Sequence, residues 1–348
     1  MNRTILHAIA SLEGGGAERQ LVMLANEQAR RGWHVHLAVR RGGVHEAQLA
    51  PSIATHVLGD FAGGSPELGL RITRVLRTVR PALVQTWLPQ MDVIAGVASL
   101  AHRIPWVLSE RASDLAYPAS FAMRLRKKIG RFASAIVANS TAGTALWEAG
   151  RGSVSEIRNA LDLAAIEATP PGGEEPPYFL FAGRLSAEKR PDLLLAAMRH
   201  VPGARLRMLG EGALRPTLQR AIERHALDVT VERFRADWWS LLKTASAIVC
   251  PSQYEGEPNV VLEAMAAGCP VVASDIAAHR EILDQSCALL VPFDDPLALA
   301  GALHAVRADP LAARARARIA SMRVQDRSID KAASLYDGVY ARAIGSGR

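Results

Sequence analysis

The stretch Phe181-Ala182-Gly183-Arg184-Leu185-Ser186-Ala187-Glu188-Lys189-Arg190-Pro191 joins an apolar run, Tyr178–Ala182, to a helical pattern over Arg190–Arg199. A glycine after a strand and a proline at the start of a helix are typical of a tight strand-to-helix turn. Arg184 and Lys189 both lie in this turn. An arginine fork beside a lysine ammonium suits a diphosphate; the alternative is a solvated basic loop. The stretch therefore predicts a strand–loop–helix unit with an anion site at the carboxyl end of its strand.

The same alternation of short apolar runs and helical patterns continues on both sides of this stretch. Such alternation predicts parallel sheets with helices on both faces, so the predicted fold class is α/β. In the first half the predicted strands are Thr4–Ile9, His34–Val39, Leu83–Thr86, Trp106–Leu108 and Ala135–Asn139. In the second half they are Tyr178–Ala182, Leu206–Leu209, Ala247–Val249, Val271–Ala273 and Ala288–Val291. The predicted helices include Ala17–Arg31, Arg190–Arg199, Leu214–His225 and the final Ser328–Ile344.

The composition changes around residue 170, where residues 169–177 hold four prolines and two glycines. This composition is typical of a linker. We therefore predict a first Rossmann-like domain over 1–168 and a second Rossmann-like domain over 178–327, joined by a linker over 169–177. A C-terminal helix is predicted over 328–348. Ligands of such sheets bind outside the carboxyl ends of the strands, so the functional site is expected in the cleft between the domains.

Composition excludes several classes of protein. The chain of 348 residues is 49% hydrophobic and 22% charged, which is typical of a globular protein with a sizeable core. It has no run of about 18 apolar residues and no long apolar N-terminal segment, so we expect a cytoplasmic protein. The three cysteines fit neither a disulfide framework nor a metal site, and we expect buried thiols at Cys250, Cys269 and Cys287.

The formal net charge of +7 is unevenly distributed. Residues 1–168 carry a net charge of +6, whereas residues 169–348 carry +1. This asymmetry indicates a polyanionic partner of the first half: a membrane surface, a nucleic acid or a phosphorylated substrate. Basic and aromatic residues do not interleave in a known binding motif, so we predict no nucleic-acid partner.

Part of the positive charge falls in one helical pattern, Phe121–Phe132. An amphipathic basic helix can lie on an anionic membrane, such as the cytoplasmic face of an inner membrane; the alternative is a core-packed helix with a solvated basic rim. The basic residues of this pattern are Arg124, Arg126, Lys127, Lys128 and Arg131.

Two further motifs follow predicted strands. The first, Gly14-Gly15-Gly16-Ala17-Glu18, opens the first helix and is either an anion-binding helix N-terminus or a tight turn. It lacks the spacing of a dinucleotide fingerprint. The second, Glu255-Gly256-Glu257-Pro258-Asn259-Val260-Val261-Leu262-Glu263, places Glu255 on a loop and Glu263 in the following helix. Its loop amides suit phosphate or sugar hydroxyls, and a carboxylate such as Glu263 can accept two ribose hydroxyls.

Together these motifs resemble the retaining, nucleotide-sugar-dependent glycosyltransferases of family 4, which have the GT-B fold. The resemblance covers nearly the whole chain and includes Ala138–Ser140, Ile157–Asp162 and Leu209–Gly212. It implies two Rossmann-like domains that face each other across a cleft, with a C-terminal helix that returns to the first domain. It also implies an acceptor-binding first domain and a donor-binding second domain.

The resemblance implies roles for individual residues. Arg184, Lys189 and Glu255 would be catalytic, and Glu18 and Arg111 would contact the acceptor or the transferred sugar. Arg111 stands where many family members have a histidine, so a histidine role is not expected there. The residues implied in donor binding are Gly15, Gly16, Arg184, Lys189, Gly256, Pro258, Asn259, Val260 and Glu263.

The implied activity is transfer, with retention, of a hexose or N-acetylhexosamine from a UDP-sugar or GDP-sugar to a lipid-linked or polysaccharide acceptor. Assembly of bacterial cell-surface polysaccharide or lipopolysaccharide is the implied context. No cofactor and no metal are expected, because Arg184 and Lys189 would stabilise the leaving diphosphate. Two alternatives stay open: a sugar-nucleotide 2-epimerase of the same architecture, and a non-enzymatic nucleic-acid binder.

Overall fold

A computed structural model describes residues 3–61, 65–111, 120–147, 153–172, 177–235 and 237–345. The chain divides into two compact units, one of residues 1–160 and 328–348 and the other of residues 161–327. Residues 173–176 of the predicted linker lie outside the described residues, as do Ala112–Asp114, which follow Arg111. No described helix is long and apolar enough to cross a membrane.

The first unit contains a seven-stranded parallel sheet in the order β3-β2-β1-β4-β5-β6-β7. Its strands are β1 Thr4–Ile9, β2 His34–Val39, β3 Ala54–Val57, β4 Leu83–Trp87, β5 Trp106–Glu110, β6 Ala135–Ala138 and β7 Ser153–Glu156. Its helices before Ala160 are α1 Gly16–Arg30, α2 Pro66–Val79, α3 Pro89–Ala101, α4 Phe121–Gly130 and α5 Thr141–Ala145. Helix α3 packs against both α2 and α4, so these three helices form one layer.

The second unit contains a six-stranded parallel sheet in the order β10-β9-β8-β11-β12-β13. Its strands are β8 Tyr178–Ala182, β9 Arg205–Leu209, β10 Val229–Glu232, β11 Ala247–Cys250, β12 Val271–Ser274 and β13 Leu289–Val291. Its helices are α6 Leu163–Ala168, α7 Pro191–Met198, α8 Arg215–Arg224, α9 Trp238–Leu242, α10 Asn259–Ala266, α11 Ala277–Arg280, α12 Pro296–Ala308 and α13 Pro310–Met322. The α/β class with two Rossmann-like sheets is confirmed.

The final helix, α14 (Ile329–Gly345), packs against α1 in the first unit. Its apolar face is buried in the same cluster as β1, β2 and α1, with Tyr336 and Tyr340 among the buried side chains. The alanine, valine and tyrosine residues of α14 recur at helical spacing, which gives the helix one apolar stripe for this packing.

The second unit begins earlier than the sequence predicts. The predicted first domain ended at residue 168, but the structure assigns Leu161 and α6 to the second unit. Leu161 and Ile166 are buried in the second unit's core, and α6 packs against α10. The Gly172 amide then donates to the Ser240 carbonyl at 3.0 Å. The described start of the proline-rich stretch, residues 169–172, therefore belongs to the second unit, because the apolar residues before it are already part of that core.

All three cysteines are free and buried, as predicted. Burial raises the pKa of the Cys250 and Cys269 thiols to about 12. Thiols with such pKa values stay protonated near neutral pH and pack as small hydrophobic groups.

Candidate active site in the second unit

The strand order of the second sheet creates a crevice between β8 and β11. The chain proceeds outward from β8 to β9 and β10 on one side, and from β11 to β12 and β13 on the other. The loops that leave β8 and β11 therefore diverge at their carboxyl ends, where open α/β sheets bind ligands. The loop after β8 carries Arg184 and Lys189, and the loop after β11 carries Glu255.

The loop after β8 is held by a second loop that follows β9. Amides of Gly183 and Leu185 donate to the carbonyls of Leu209 and Glu211 at 2.9 and 2.8 Å. A Cβ atom on Gly210 would lie 1.9 Å from the Gly183 carbonyl oxygen, and Gly210 has φ +152°. Only glycine accommodates this approach of two backbones. The Leu209–Gly212 motif thus fixes the loop that carries the basic residues.

Lys189 and Glu255 meet in the crevice. The Lys189 ammonium lies 2.5 Å from Glu255 Oε1, and both side chains are largely buried. The Ser252 hydroxyl donates to the same carboxylate oxygen at 2.8 Å. Burial opposes ionisation of Glu255, but Lys189 and these hydrogen bonds outweigh it and lower the pKa of the carboxyl group. The site therefore holds a buried lysine–carboxylate pair at the switch point.

Arg184 lies outside this pair. Its side chain is 73% exposed, and its guanidinium is 3.1 Å from the carboxylate of Glu188, four residues further along the chain. An exposed pair of this kind contributes little to stability. The guanidinium can therefore exchange Glu188 for an anionic ligand at small cost.

Glu263 is buried in α10 and accepts a hydrogen bond from the Trp239 indole nitrogen at 2.6 Å. Trp239 was not among the predicted site residues, because it lies in the short helix α9, which the sequence interpretation did not predict. The other carboxylate of this segment, Glu257, pairs with Arg327 inside the second unit. Gly256, Asn259 and Val260 are half-buried at the start of α10, and Pro258 is buried.

A second residue that the sequence interpretation missed is His279 in α11, which is completely buried. Its Nδ1 lies 2.7 Å from the Ser274 carbonyl oxygen. The Ser274 hydroxyl donates to the carbonyl of Ser252, which in turn contacts Glu255. The available signal was its position after β12, a strand whose carboxyl end borders the same crevice.

The glycine loop of the first unit lies between β1 and α1. Gly15 is the N-cap of α1, and a Cβ on Gly15 would lie 2.2 Å from a carboxylate oxygen of Glu18. The Glu18 carboxylate therefore folds back over the helix N-terminus, where the free amides and the helix dipole favour negative charge. Gly16 is the first residue of the helix.

Arg111 follows β5 and is held by its own unit. Its guanidinium stacks 4.4 Å from the Trp87 ring centroid and donates to Asn159 Oδ1 at 3.1 Å. It also donates to the hydroxyl of Tyr336 in α14. These contacts bind the last helix to the sheet. The Nε atom of Arg111 is buried and has no hydrogen-bond partner in the described part of the chain.

No group of three or more His, Cys, Asp and Glu side chains in the described ranges is arranged to hold a metal ion.

Comparisons with known families agree with this architecture. The family described as Glycosyltransferase Family 4 matches residues 14–165, and the family described as Glycosyl transferases group 1 matches residues 176–309. The fold and the matches together place the chain in glycosyltransferase families that have the GT-B type of fold. The chain belongs to this class through a family 4 first half and a group 1 second half.

Individual proteins show the same relationship. A D-inositol 3-phosphate glycosyltransferase of Xylanimonas cellulosilytica is 40% identical over 185 residues, which are 48% of this chain and 42% of that protein. The match thus spans less than half of that relative's length. The lipopolysaccharide core biosynthesis glycosyltransferase LpsE of Rhizobium meliloti is 27% identical over 85% of this chain and 86% of its own. The solved structure of Anabaena HepE with UDP-glucose has the same fold, with a TM-score of 0.82, 20% identity and 99% coverage of each chain.

Proposed function

We propose that this glycosyltransferase moves a hexose or N-acetylhexosamine, with retention, from a nucleoside-diphosphate sugar to a lipid-linked or polysaccharide acceptor. The observation that carries the proposal is the Lys189–Glu255 pair at the switch point of the second sheet. A UDP-sugar is the first candidate donor and a GDP-sugar the second. The similarity to HepE, whose structure contains UDP-glucose, supports a UDP-sugar.

Each group in the crevice has a chemical task in this proposal. Lys189 and Arg184 bind the diphosphate and stabilise the charge that grows on it as the glycosidic bond breaks. Amides at the start of α10 bind the same phosphates. Glu263 accepts the ribose hydroxyls, with Trp239 holding its second oxygen. Glu255 contacts the transferred sugar. No metal is required, because the two basic side chains supply the positive charge.

The first unit is proposed to bind the acceptor, and its residues Glu18 and Arg111 are proposed to contact the acceptor or the transferred sugar. The relationship to LpsE supports an acceptor of the lipopolysaccharide type and a role in cell-surface polysaccharide assembly. An acceptor of this kind carries a lipid or a long saccharide and is made at a membrane surface.

The helix layer α2–α3–α4 supports a contact with an anionic membrane. We name its exposed basic and large apolar residues the basic face: Leu70, Arg71, Arg74, Arg77, Arg80, Val97, Arg103, Phe121, Arg124, Lys127, Lys128, Arg131 and Phe132. Phe121 and Phe132 are 73% and 62% exposed. Cationic side chains beside exposed aromatic rings are suited to anionic headgroups and the acyl boundary beneath them. The proposed location is therefore the cytoplasmic face of the inner membrane.

One basic residue of α4 does not belong to this surface. Arg126 is 3% exposed and forms ion pairs with Asp92 and Glu110, each at 2.8 Å. Both carboxylates are fully buried. Arg126 therefore anchors α4 to the layer, while Arg124, Lys127 and Lys128 are exposed.

A donor screen tests the proposal. Thermal unfolding is measured with UDP, GDP and their sugars, because a ligand that binds only the folded protein raises the unfolding temperature. We expect UDP and a UDP-sugar to give the largest increase, and turnover of that sugar to require an acceptor and persist in EDTA. Turnover without an acceptor would favour the 2-epimerase, and loss of activity in EDTA would contradict metal independence.

A further inference from the structure

His279 is a buried imidazole with one nitrogen committed and one unused. Its Nδ1 faces the Ser274 carbonyl oxygen at 2.7 Å. A carbonyl can only accept, so Nδ1 carries the proton and Nε2 of the neutral ring has a free lone pair. Nε2 is fully buried and has no hydrogen-bond partner among the residues that the structure describes. A buried polar atom without a partner costs free energy, so it invites a functional explanation.

The His279 ring is linked to the Lys189–Glu255 pair through two serines. Ser274, which holds the ring, donates its hydroxyl to the Ser252 carbonyl, and the Ser252 hydroxyl donates to Glu255. The charged groups that act on His279 are Glu255, Lys189 and Asp275. Asp275 is neutralised by Arg280, whose guanidinium lies 2.5 Å away. The charge state of the Lys189–Glu255 pair therefore dominates the electrostatic environment of the ring.

With Lys189 on Glu255, the ring is neutral. Burial lowers the pKa of His279, Glu255 raises it and Lys189 lowers it further. If Lys189 moves toward a diphosphate, Glu255 loses its cation and becomes a buried, uncompensated carboxylate. The bound phosphates add further negative charge. Both changes favour a proton on the imidazole, and Nε2 is the atom that can accept it.

We propose that His279 is a positioning residue of the donor site, which takes up a proton at Nε2 when a nucleoside diphosphate draws Lys189 away from Glu255. The proton comes from the solvent, and no covalent bond is formed or broken. The positive charge of the imidazolium then compensates Glu255 in place of the ammonium, which keeps this carboxylate in place for the transferred sugar. This inference rests on the proposed function, because it requires Lys189 to bind the diphosphate.

The test is the number of protons taken up when UDP binds. Calorimetric titration with UDP at pH 7.5 in two buffers of different ionisation enthalpy, PIPES and Tris, gives this number directly. In the variant His279→Asn the side-chain amide can still donate to the Ser274 carbonyl but cannot be protonated. We expect the wild type to take up more protons than the variant, since any proton change of UDP itself is common to both. Lys189→Ala should likewise lose the extra uptake.

The outcomes separate the two claims. Equal proton uptake by the wild type and His279→Asn, with UDP bound by both, would overturn the role of His279 and leave the donor site standing. No binding of UDP or GDP to the wild type would overturn the proposed function, and this inference with it. If His279→Asn does not fold, the histidine ring nitrogen signals of the wild-type protein decide. A His279 Nε2 that stays unprotonated when UDP is bound would overturn the proposal.

Discussion

At the scale of single residues, Lys189 and Glu255 stabilise each other in the absence of a ligand. Each side chain is largely buried, so removing one leaves the other as an uncompensated charge. Breaking a buried ion pair by removing one partner is far more costly than replacing both partners. The residues that bind the donor in our proposal are therefore also coupled in stability.

A double-mutant cycle tests this coupling. We expect Lys189→Met to lower the free energy of unfolding by about 2 kcal/mol, and the additional change Glu255→Gln to restore at least about half of it. Chemical denaturation of the wild type, both single variants and the double variant supplies the four values. Strictly additive effects would show that the two charges do not interact.

Sequence reasoning identified some of these residues and missed others for identifiable reasons. The loop after β8 carries two basic residues between a glycine and a proline, so an anion site there can be predicted from the sequence alone. Lys189 contacts Glu255, which lies 66 residues later in the chain. This contact depends on the strand order, and the alternation of strands and helices does not specify that order. No sequence motif marks His279 or Trp239, and only their hydrogen bonds in the folded chain distinguish them. The roles of the donor-site residues stay predictions.

At the scale of elements, the central strands and their helices could be predicted closely, since their apolar runs are long. Strands β1 and β2 begin and end at the predicted residues, and α1 begins one residue earlier than predicted. The sequence interpretation missed β3, β7 and β10, which are edge strands with no fully buried residue. A strand that is paired on one side only has no need of an apolar run, so its sequence carries little signal.

Helix α14 is fixed by a buried chain of side-chain hydrogen bonds. The Trp87 indole donates to His7 Nδ1 at 3.1 Å, and His7 Nε2 donates to Gln28 at 2.7 Å. Gln28 donates to the Tyr340 hydroxyl at 2.9 Å, and this hydroxyl donates to Gln85. Every donor in the chain has an acceptor only if His7 is neutral. Burial, opposed by the bond to Gln28, lowers the pKa of His7 to about 4.

This network predicts a loss of stability in mild acid. The folded-state pKa of His7 lies below the unfolded value of 6.5, so the unfolded chain binds more protons between these values. The contribution of neutral His7 to the free energy of unfolding is present above pH 6.5 and is lost as the pH falls toward 4. When the pH falls from 7 to 5, we expect the free energy of unfolding of the wild type to decrease by about 2 kcal/mol more than that of His7→Gln. Urea denaturation at both pH values measures this, and parallel losses in the two proteins would refute it.

At the scale of the whole molecule, the distribution of charge distinguishes the two units. The basic face of the α2–α3–α4 layer contains much of the excess positive charge of the first half. The ion pairs of Arg126 with Asp92 and Glu110 place α4 so that Phe121, Phe132 and the lysines remain exposed. The packing of α4 in the layer therefore creates the surface that our proposal assigns to the membrane.

Liposome co-sedimentation tests this assignment. Arg124, Lys127, Lys128 and Arg131 changed together to Gln should weaken binding to vesicles with anionic lipids by about tenfold or more, since each cation near the surface contributes about 1 kcal/mol. A matched control changes four exposed arginines of the second unit, Arg199, Arg224, Arg314 and Arg318, to Gln. Equal binding by the wild type and the first variant would exclude α4 as the docking surface.

The central claim is that Lys189 binds and stabilises the donor diphosphate at the crevice between β8 and β11. The most direct test is the rate of sugar transfer from the donor selected by the screen, measured for the wild type, Lys189→Ala and the control Arg199→Ala, which removes an exposed cation at the end of α7. We predict that Lys189→Ala lowers kcat/KM by about 10²–10³-fold in a protein that remains folded, while the control stays within about twofold. A folded Lys189→Ala protein with nearly wild-type kcat/KM would contradict the account.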